Sequence, residues 1–304
     1  MTKNSGITSA MRWQTLCLAL TAPLCWGLSF TLAKPAVAHF PPLFMLLMVY
    51  AAIAIFMSIF HRGSFKTPWS HLFLISSLAV TIQGALLFYA VRQVDASTAN
   101  LVLQTQVPAG VIMGWLIAGE KLTLSKSIGT LIAVLGVVIV IGLPVDRPPL
   151  IPVLMIIVSG FVWAAGQVYA RLLSKDSGLM ILKANAIFSV PQLIVATLLL
   201  ETGQWQSMVS ATAGEWALLV FIGFVGFYLA YMAWYSVLKT VRVEQAVPFI
   251  LLMTPVGLIS AVLFLGEKLT GLQIIGGTIL MLGLAVVNDL HRAIFFLDAQ
   301  KDAA

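Results

Sequence analysis

The chain has 304 residues, of which 60% are hydrophobic and only 9% charged, and its formal net charge is +6. A soluble globular protein carries roughly 25% charged residues. This composition therefore excludes a soluble enzyme or nucleic-acid-binding domain and, with a mean hydropathy of +1.02, specifies an integral membrane protein whose partner is the lipid bilayer.

About 20 apolar residues carry a helix across a bilayer. Segments of that kind lie near 13–33, 42–60, 71–91, 96–118, 124–143, 150–170, 180–200, 215–238, 243–265 and 271–289, which predicts an all-α protein of ten transmembrane helices. Lys3 and Arg12 precede the first. That run is too long for the core of a signal peptide and lacks a small-residue cleavage site, so helix 1 is expected to be retained. It holds both cysteines, Cys17 and Cys25. Eight residues of helix part them by roughly 12 Å, beyond disulfide reach, so they read as packing residues. Trp26 follows near mid-span, and Lys34 stands at the expected end. Tryptophan ordinarily prefers the membrane interface, which makes a central Trp26 a candidate wall of an internal cavity.

Helix 3 offers Gln83 and Tyr89. Helix 4 is the most polar span, with Ser97, Thr98, Asn100, Gln104, Thr105 and Gln106. Asn100, Gln104 and Pro108 are four apart and share one face of a regular helix. Unpaired amides in hydrocarbon are costly, so that face is expected to meet protein or a water-filled space. Pro108 removes a backbone donor and crowds the Gln104 carbonyl, and Pro255 does the same to Leu251 in helix 9; both are candidate flexing points. Helix 5, with Gly129, Gly136 and Gly142, and helix 10, with Gly276, Gly277 and Gly283, read as closely packed scaffold. Helix 6 brings Trp163 and Gln167 and ends at Arg171. In helix 7, Asn185 and Gln192 read as packing contacts. Helix 8 carries Tyr228, Tyr231 and Tyr235 in one stripe beside Trp234; Tyr228 and Tyr231 are central enough to reach a cavity, and Tyr235 is expected to anchor at the interface.

The pentapeptide Gly119-Glu120-Lys121-Leu122-Thr123 returns at Gly266-Glu267-Lys268-Leu269-Thr270, 147 residues later. The same offset pairs Pro108 with Pro255, Gly129 with Gly276 and Gly136 with Gly283, and an offset of 137 pairs Trp26 with Trp163 and Lys34 with Arg171. The chain is a duplication, with one unit over 13–146, the other over 147–292, and a tail over 293–304, in a single membrane domain. Of 17 Lys and Arg residues, only Lys34, Arg92, Arg147 and Lys268 fall on the side opposite the N-terminus. The positive-inside rule then places both termini in the cytoplasm, as for a bacterial inner-membrane protein. Five helices per unit is an odd number, so the second unit enters from the opposite face. Inverted repeats mark secondary transporters with a substrate site at the midplane.

The stretch Trp26-Gly27-Leu28-Ser29-Phe30, the Gly-Glu-x-Leu-Thr motif after helices 4 and 9, and the five-plus-five layout resemble the EamA family of the drug/metabolite transporter superfamily. The resemblance covers nearly the whole chain. Within the family the chain looks most like bacterial exporters of aromatic amino acids and related metabolites. A transporter of a sugar phosphate-like anion or a drug-like compound is the alternative.

The expected substrate contacts are Trp26, Gln83, Tyr89, Asn100, Gln104, Trp163, Gln167, Tyr228 and Tyr231, with Pro108, Pro255, Lys34 and Arg171 as hinge or gate residues. No acidic residue falls mid-span, which argues against a proton relay or cation site and against an intramembrane enzyme. No P-loop or zinc-binding motif is present, so neither a cofactor nor a metal is expected. The sequence leaves the oligomeric state open and is compatible with a monomer.

Overall fold

The computed structural model describes residues 13–142, 148–238 and 249–288. Both termini and Asp146, Arg147, Lys239, Arg242 and Glu244 lie outside the described residues. Every regular element among the described residues is helical. The helices at the expected spans are α1 (Trp13–His39), α2 (Pro42–Phe60), α3 (Trp69–Val91), α4 (Ala96–Ala118), α5 (Leu124–Ile141), α6 (Leu150–Leu173), α7 (Gly178–Leu200), α8 (Ala213–Val237), α9 (Met253–Leu265) and α10 (Gly271–Val287). By length and composition, α1 to α8 can cross a membrane, whereas α9 and α10 are described over 13 and 17 residues. The first part of the helix expected over 243–265 falls outside the described residues.

Two expectations need correction. Helix 1 does not end at Lys34 but runs on to His39. The Lys34 ammonium needs no water, because it donates to the carbonyls of Val91, Arg92 and Val94 at the end of α3. Ala36, Val37 and Phe40 beyond it are fully buried. A cation at a helix C-terminus is favoured by the unsatisfied carbonyls and the dipole. Helices 3, 4 and 8 are also not regular. α3 contains a π-helical stretch at Ser77–Ile82 and α8 one at Phe221–Leu229. α4 is broken into Ala96–Leu103 and Gln106–Ala118.

The matched prolines explain the break. Pro108 cannot donate to the Gln104 carbonyl, which accepts instead from Val107 N–H at 3.1 Å, while Thr105 N–H bonds Val102 three residues back. Around Pro255 the pattern recurs: the Leu251 carbonyl accepts from Thr254 N–H at 3.4 Å and Leu252 N–H bonds Phe249. Each turn is tightened locally to three-residue spacing, so neither carbonyl is left for a ligand by the proline alone.

Packing follows the duplication. α1 packs on α8 and α9, and α6 on α3 and α4; α2 packs on α7, and α5 on α10. Exchanging each helix with its equivalent five places along leaves these pairings unchanged. The α5–α10 pair is the closest. A methyl group on Gly276 would lie 2.7 Å from the Gly136 carbonyl oxygen, and one on Gly129 would lie 2.8 Å from that of Gly283. Only bare backbone fits there.

Three carboxylates that fall at span ends or in loops tie distant segments together. Glu201 accepts from the N–H groups of Leu43 and Phe44 at the start of α2, and Glu267 from those of Ala96 and Ser97 at the start of α4. Asp176 accepts from the Lys66 and Thr67 N–H groups at 2.9 and 3.0 Å. Charge-assisted bonds to orphan helix-start donors are among the stronger hydrogen bonds. Burial pushes the Asp176 carboxyl up, but bonds from Thr67, the two backbone donors and the Lys66 charge outweigh it and hold its pKa below the ordinary 3.8. A depressed pKa means stability that is present above the unfolded value and fades as pH falls through the folded one. Asp176→Asn is therefore expected to lower the melting temperature at neutral pH by a contribution on the order of 1 kcal/mol and to flatten the loss of stability below about pH 4, where Asp176 of the parent protein would protonate. Thermal unfolding in detergent across pH 3 to pH 7 checks both limbs.

Candidate substrate cavity

The two halves meet around a cavity of about 270 Å³. The sequence arranges it as two unlike walls. α1 and α8 supply one, where Trp26, Phe30, Phe227, Tyr231, Trp234 and Tyr235 line the space. Trp26 meets Tyr231 edge to face, with centroids 5.2 Å apart, and lies 6.3 Å from Trp234; Tyr231 stacks on Tyr235 at 5.9 Å. Tyr50 of α2 extends this wall and packs on Phe227 at 5.3 Å. Edge-to-face and offset-stacked geometries suit the ring quadrupoles, so the rings brace one another and keep a fixed surface.

The other wall is polar. Gln83 of α3, Gln106 of α4 and Gln167 of α6 line it, with Trp163 beside them. Among the described residues none of the three glutamine side chains makes a hydrogen bond. Each amide can donate twice and accept twice. Leaving such groups unpaired at membrane depth is costly, so this wall is built to bond water or a solute. Among the described residues no Lys, Arg, His, Asp or Glu lines the cavity.

Irregular backbone positions both walls. Ala79 and Val80 come from the π stretch of α3 and Phe227 from that of α8. A π turn inserts a residue and rotates the rest of the helix beyond it, and such turns are frequent at functional sites. In α4 the tight turn before Pro108 does the same. Gln104 is buried off the cavity, and Gln106 faces it.

Of the expected contacts, Trp26, Gln83, Trp163, Gln167 and Tyr231 are brought together here. Four are placed elsewhere. Asn100 donates to Ala96 and Thr31 and is wedged against Gly257, holding α4, α1 and α9 together. Gln104 is 4% exposed and outside the lining. The Tyr228 hydroxyl bonds the His61 ring at 2.8 Å, and its ring packs on Phe56. Tyr89 lines a separate polar hollow of about 510 Å³ with His39, Arg92 and Glu201. Lys34 caps α3 as described, and Arg171 pairs with Glu120, which also lies 3.8 Å from Lys126. Pro108 is buried in α4, whereas Pro255 borders an apolar groove against α10.

Tyr50, Gln106, Trp234 and Tyr235 also line the cavity and are not among the expected contacts. Gln106 was visible in the polar run of helix 4, but a regular helix puts it roughly 200° from Gln104. Tyr235, expected at the interface, faces inward because Gly178 leaves room for its ring at the start of α7.

Comparison with known proteins agrees with this architecture. One solved structure superposes with a TM-score of 0.66 at 18% identity, covering 93% of this chain and 99% of that one, which shows the fold. Two curated relatives, from Salmonella typhimurium and Escherichia coli, are each 29% identical over 281 residues, covering 88% of this chain and 93% of theirs. Each is named a probable amino-acid metabolite efflux pump. The model of the EamA-like transporter family matches residues 13–142 and again 150–289, and with the whole helical core so matched, the chain belongs to the EamA-like transporter family.

Proposed function

We propose that this transporter exports small metabolites, foremost aromatic and other bulky amino acids, by alternating access between two inverted five-helix repeats. The observation that carries this reading is the pairing of three unpartnered glutamine amides with a wall of aromatic rings, at the place where the halves meet. The rings suit an aromatic or bulky side chain, and the amides suit the ammonium and carboxylate of a zwitterion. The names of the relatives support the substrate class. The ten-span topology, with cytoplasmic termini in the inner membrane, rests on the loop charges and on packing that is unchanged when the halves are exchanged. Lys34 and Arg171 both hold protein partners away from the cavity, which disfavours a sugar phosphate gripped between them.

Transport is expected to be uncoupled or weakly coupled, since no carboxylate among the described residues lines the cavity. Counterflow of a labelled amino-acid panel in proteoliposomes tests the reading. Phenylalanine and tryptophan should exchange well above empty liposomes, and downhill flux should survive collapse of an imposed pH gradient. Absence of counterflow for every aromatic and bulky amino acid would reject the substrate class, and loss of downhill flux with the pH gradient would reject uncoupled transport.

A further inference from the structure

Behind Trp163 and Gln167 lies a cleft of about 20 Å³ that reaches Asn185 on α7. Tyr50, Trp163, Gln167, Tyr231 and Tyr235 line both this cleft and the main cavity. The Asn185 carbonyl oxygen, Oδ1, is buried with no hydrogen-bond partner. An orphan acceptor in a low-dielectric interior calls for a donor. A space of this size holds one water-sized group and no more. An ammonium head is of that size and carries only donors; a carboxylate is larger and carries only acceptors.

The surroundings make the same selection. Aromatic faces attract cations and repel anions, and the stacked rings of Tyr231 and Tyr235 are among the residues that line the cleft. Among the described residues neither the cleft nor the cavity is lined by a Lys or Arg that could answer a carboxylate. The carboxylate of an amino acid has only uncharged donors to meet, from the amides, the indoles and the tyrosine hydroxyls.

We propose that the Asn185 cleft is an ammonium subsite, and that arylalkylamines, which keep the ammonium and lack the carboxylate, are therefore ligands of the same cavity. The proposal rests on the reading of that cavity as an amino-acid site, and it deepens it: the ammonium is the group recognised, and the carboxylate is dispensable.

Three probes with one ring separate the charges: phenylalanine, 2-phenylethylamine and 3-phenylpropionate. Trp26, Trp163 and Trp234 line the cavity, so intrinsic tryptophan fluorescence of the purified full chain reports binding. The amine is expected to bind within about tenfold of phenylalanine, and the propionate at least about tenfold more weakly than either. Asn185→Leu is expected to weaken phenylalanine and the amine by roughly 5- to 150-fold, the effect of losing one buried hydrogen-bond partner, without weakening the propionate. A melting transition like the parent's verifies the fold of the variant. Should Asn185→Leu not fold, Asn185→Asp is expected to tighten the amine relative to the propionate. The subsite is overturned if phenylalanine and the propionate bind and the amine does not, or if a folded Asn185→Leu binds the amine like the parent, or if Asn185→Asp leaves the ratio unchanged. Failure of all three probes to bind the folded protein would overturn the amino-acid reading itself, and the subsite with it.

Discussion

Gly136→Leu is expected to abolish recovery of folded protein, the largest effect of any single change considered. A side chain at Gly136 would run into the backbone of α10 around Gly276 and Leu280. Overpacking against movable side chains costs about 1–3 kcal/mol. Here the obstacle is main chain on both sides, so relief requires α5 and α10 to separate and the cost exceeds that range. Gly283→Leu should behave alike, because its side chain would meet Ala133 and the Gly129 carbonyl. Gly110 of α4 is the control: a methyl group there meets nothing within 4 Å. Gly110→Ala should fold normally, and by helix propensity is expected to gain up to about 1 kcal/mol. Fluorescence-detected gel filtration of the three variants, with their melting curves, separates these outcomes. A monodisperse Gly136→Leu protein with the parent's melting temperature would show that α5 and α10 are not held together in this way.

The second large effect concerns the cavity. Gln106→Leu is expected to weaken amino-acid binding by roughly 5- to 150-fold, corresponding to the 1–3 kcal/mol of a buried hydrogen-bond partner lost. Gln104→Leu, two residues away and turned from the cavity, is expected to bind and transport like the parent. Trp163→Ala should impair transport of phenylalanine and tryptophan more than that of alanine, because it removes a stacking wall and leaves the amides in place. Binding isotherms and counterflow rates for well-expressed variants check each point. If Gln104→Leu lost binding while Gln106→Leu kept it, the assignment of the α4 face would be reversed.

That contrast marks where sequence reading stopped. Class, helix positions and duplication were legible in the chain, since hydropathy is summed over local windows and a repeated pentapeptide needs no coordinates. So were five of the cavity residues, because the polar groups of mid-span Trp, Tyr and Gln residues need either a protein partner or a polar space. The placement of Gln104 and Asn100 was not legible. Their face was drawn on a straight helix, and the tight turn before Pro108 re-aims the side chains after it. The π stretches of α3 and α8 left no mark in the sequence, because an extra residue per turn is chosen by packing and not by residue type. Lys34 read as a span end and proved to be a cap, since the three carbonyls that receive its ammonium lie nearly 60 residues along the chain.

Local apolar composition by itself thus determined that this is a membrane protein and approximately where the described helices lie, and the repeated pentapeptide that it is built of two related halves. Tertiary structure alone decided which side chains share the cavity, which glycines meet backbone and which charges are already satisfied. The reason is physical: burial in lipid is a property of single segments, whereas facing, capping and close approach depend on pairs of helices whose relative rotation no single segment encodes.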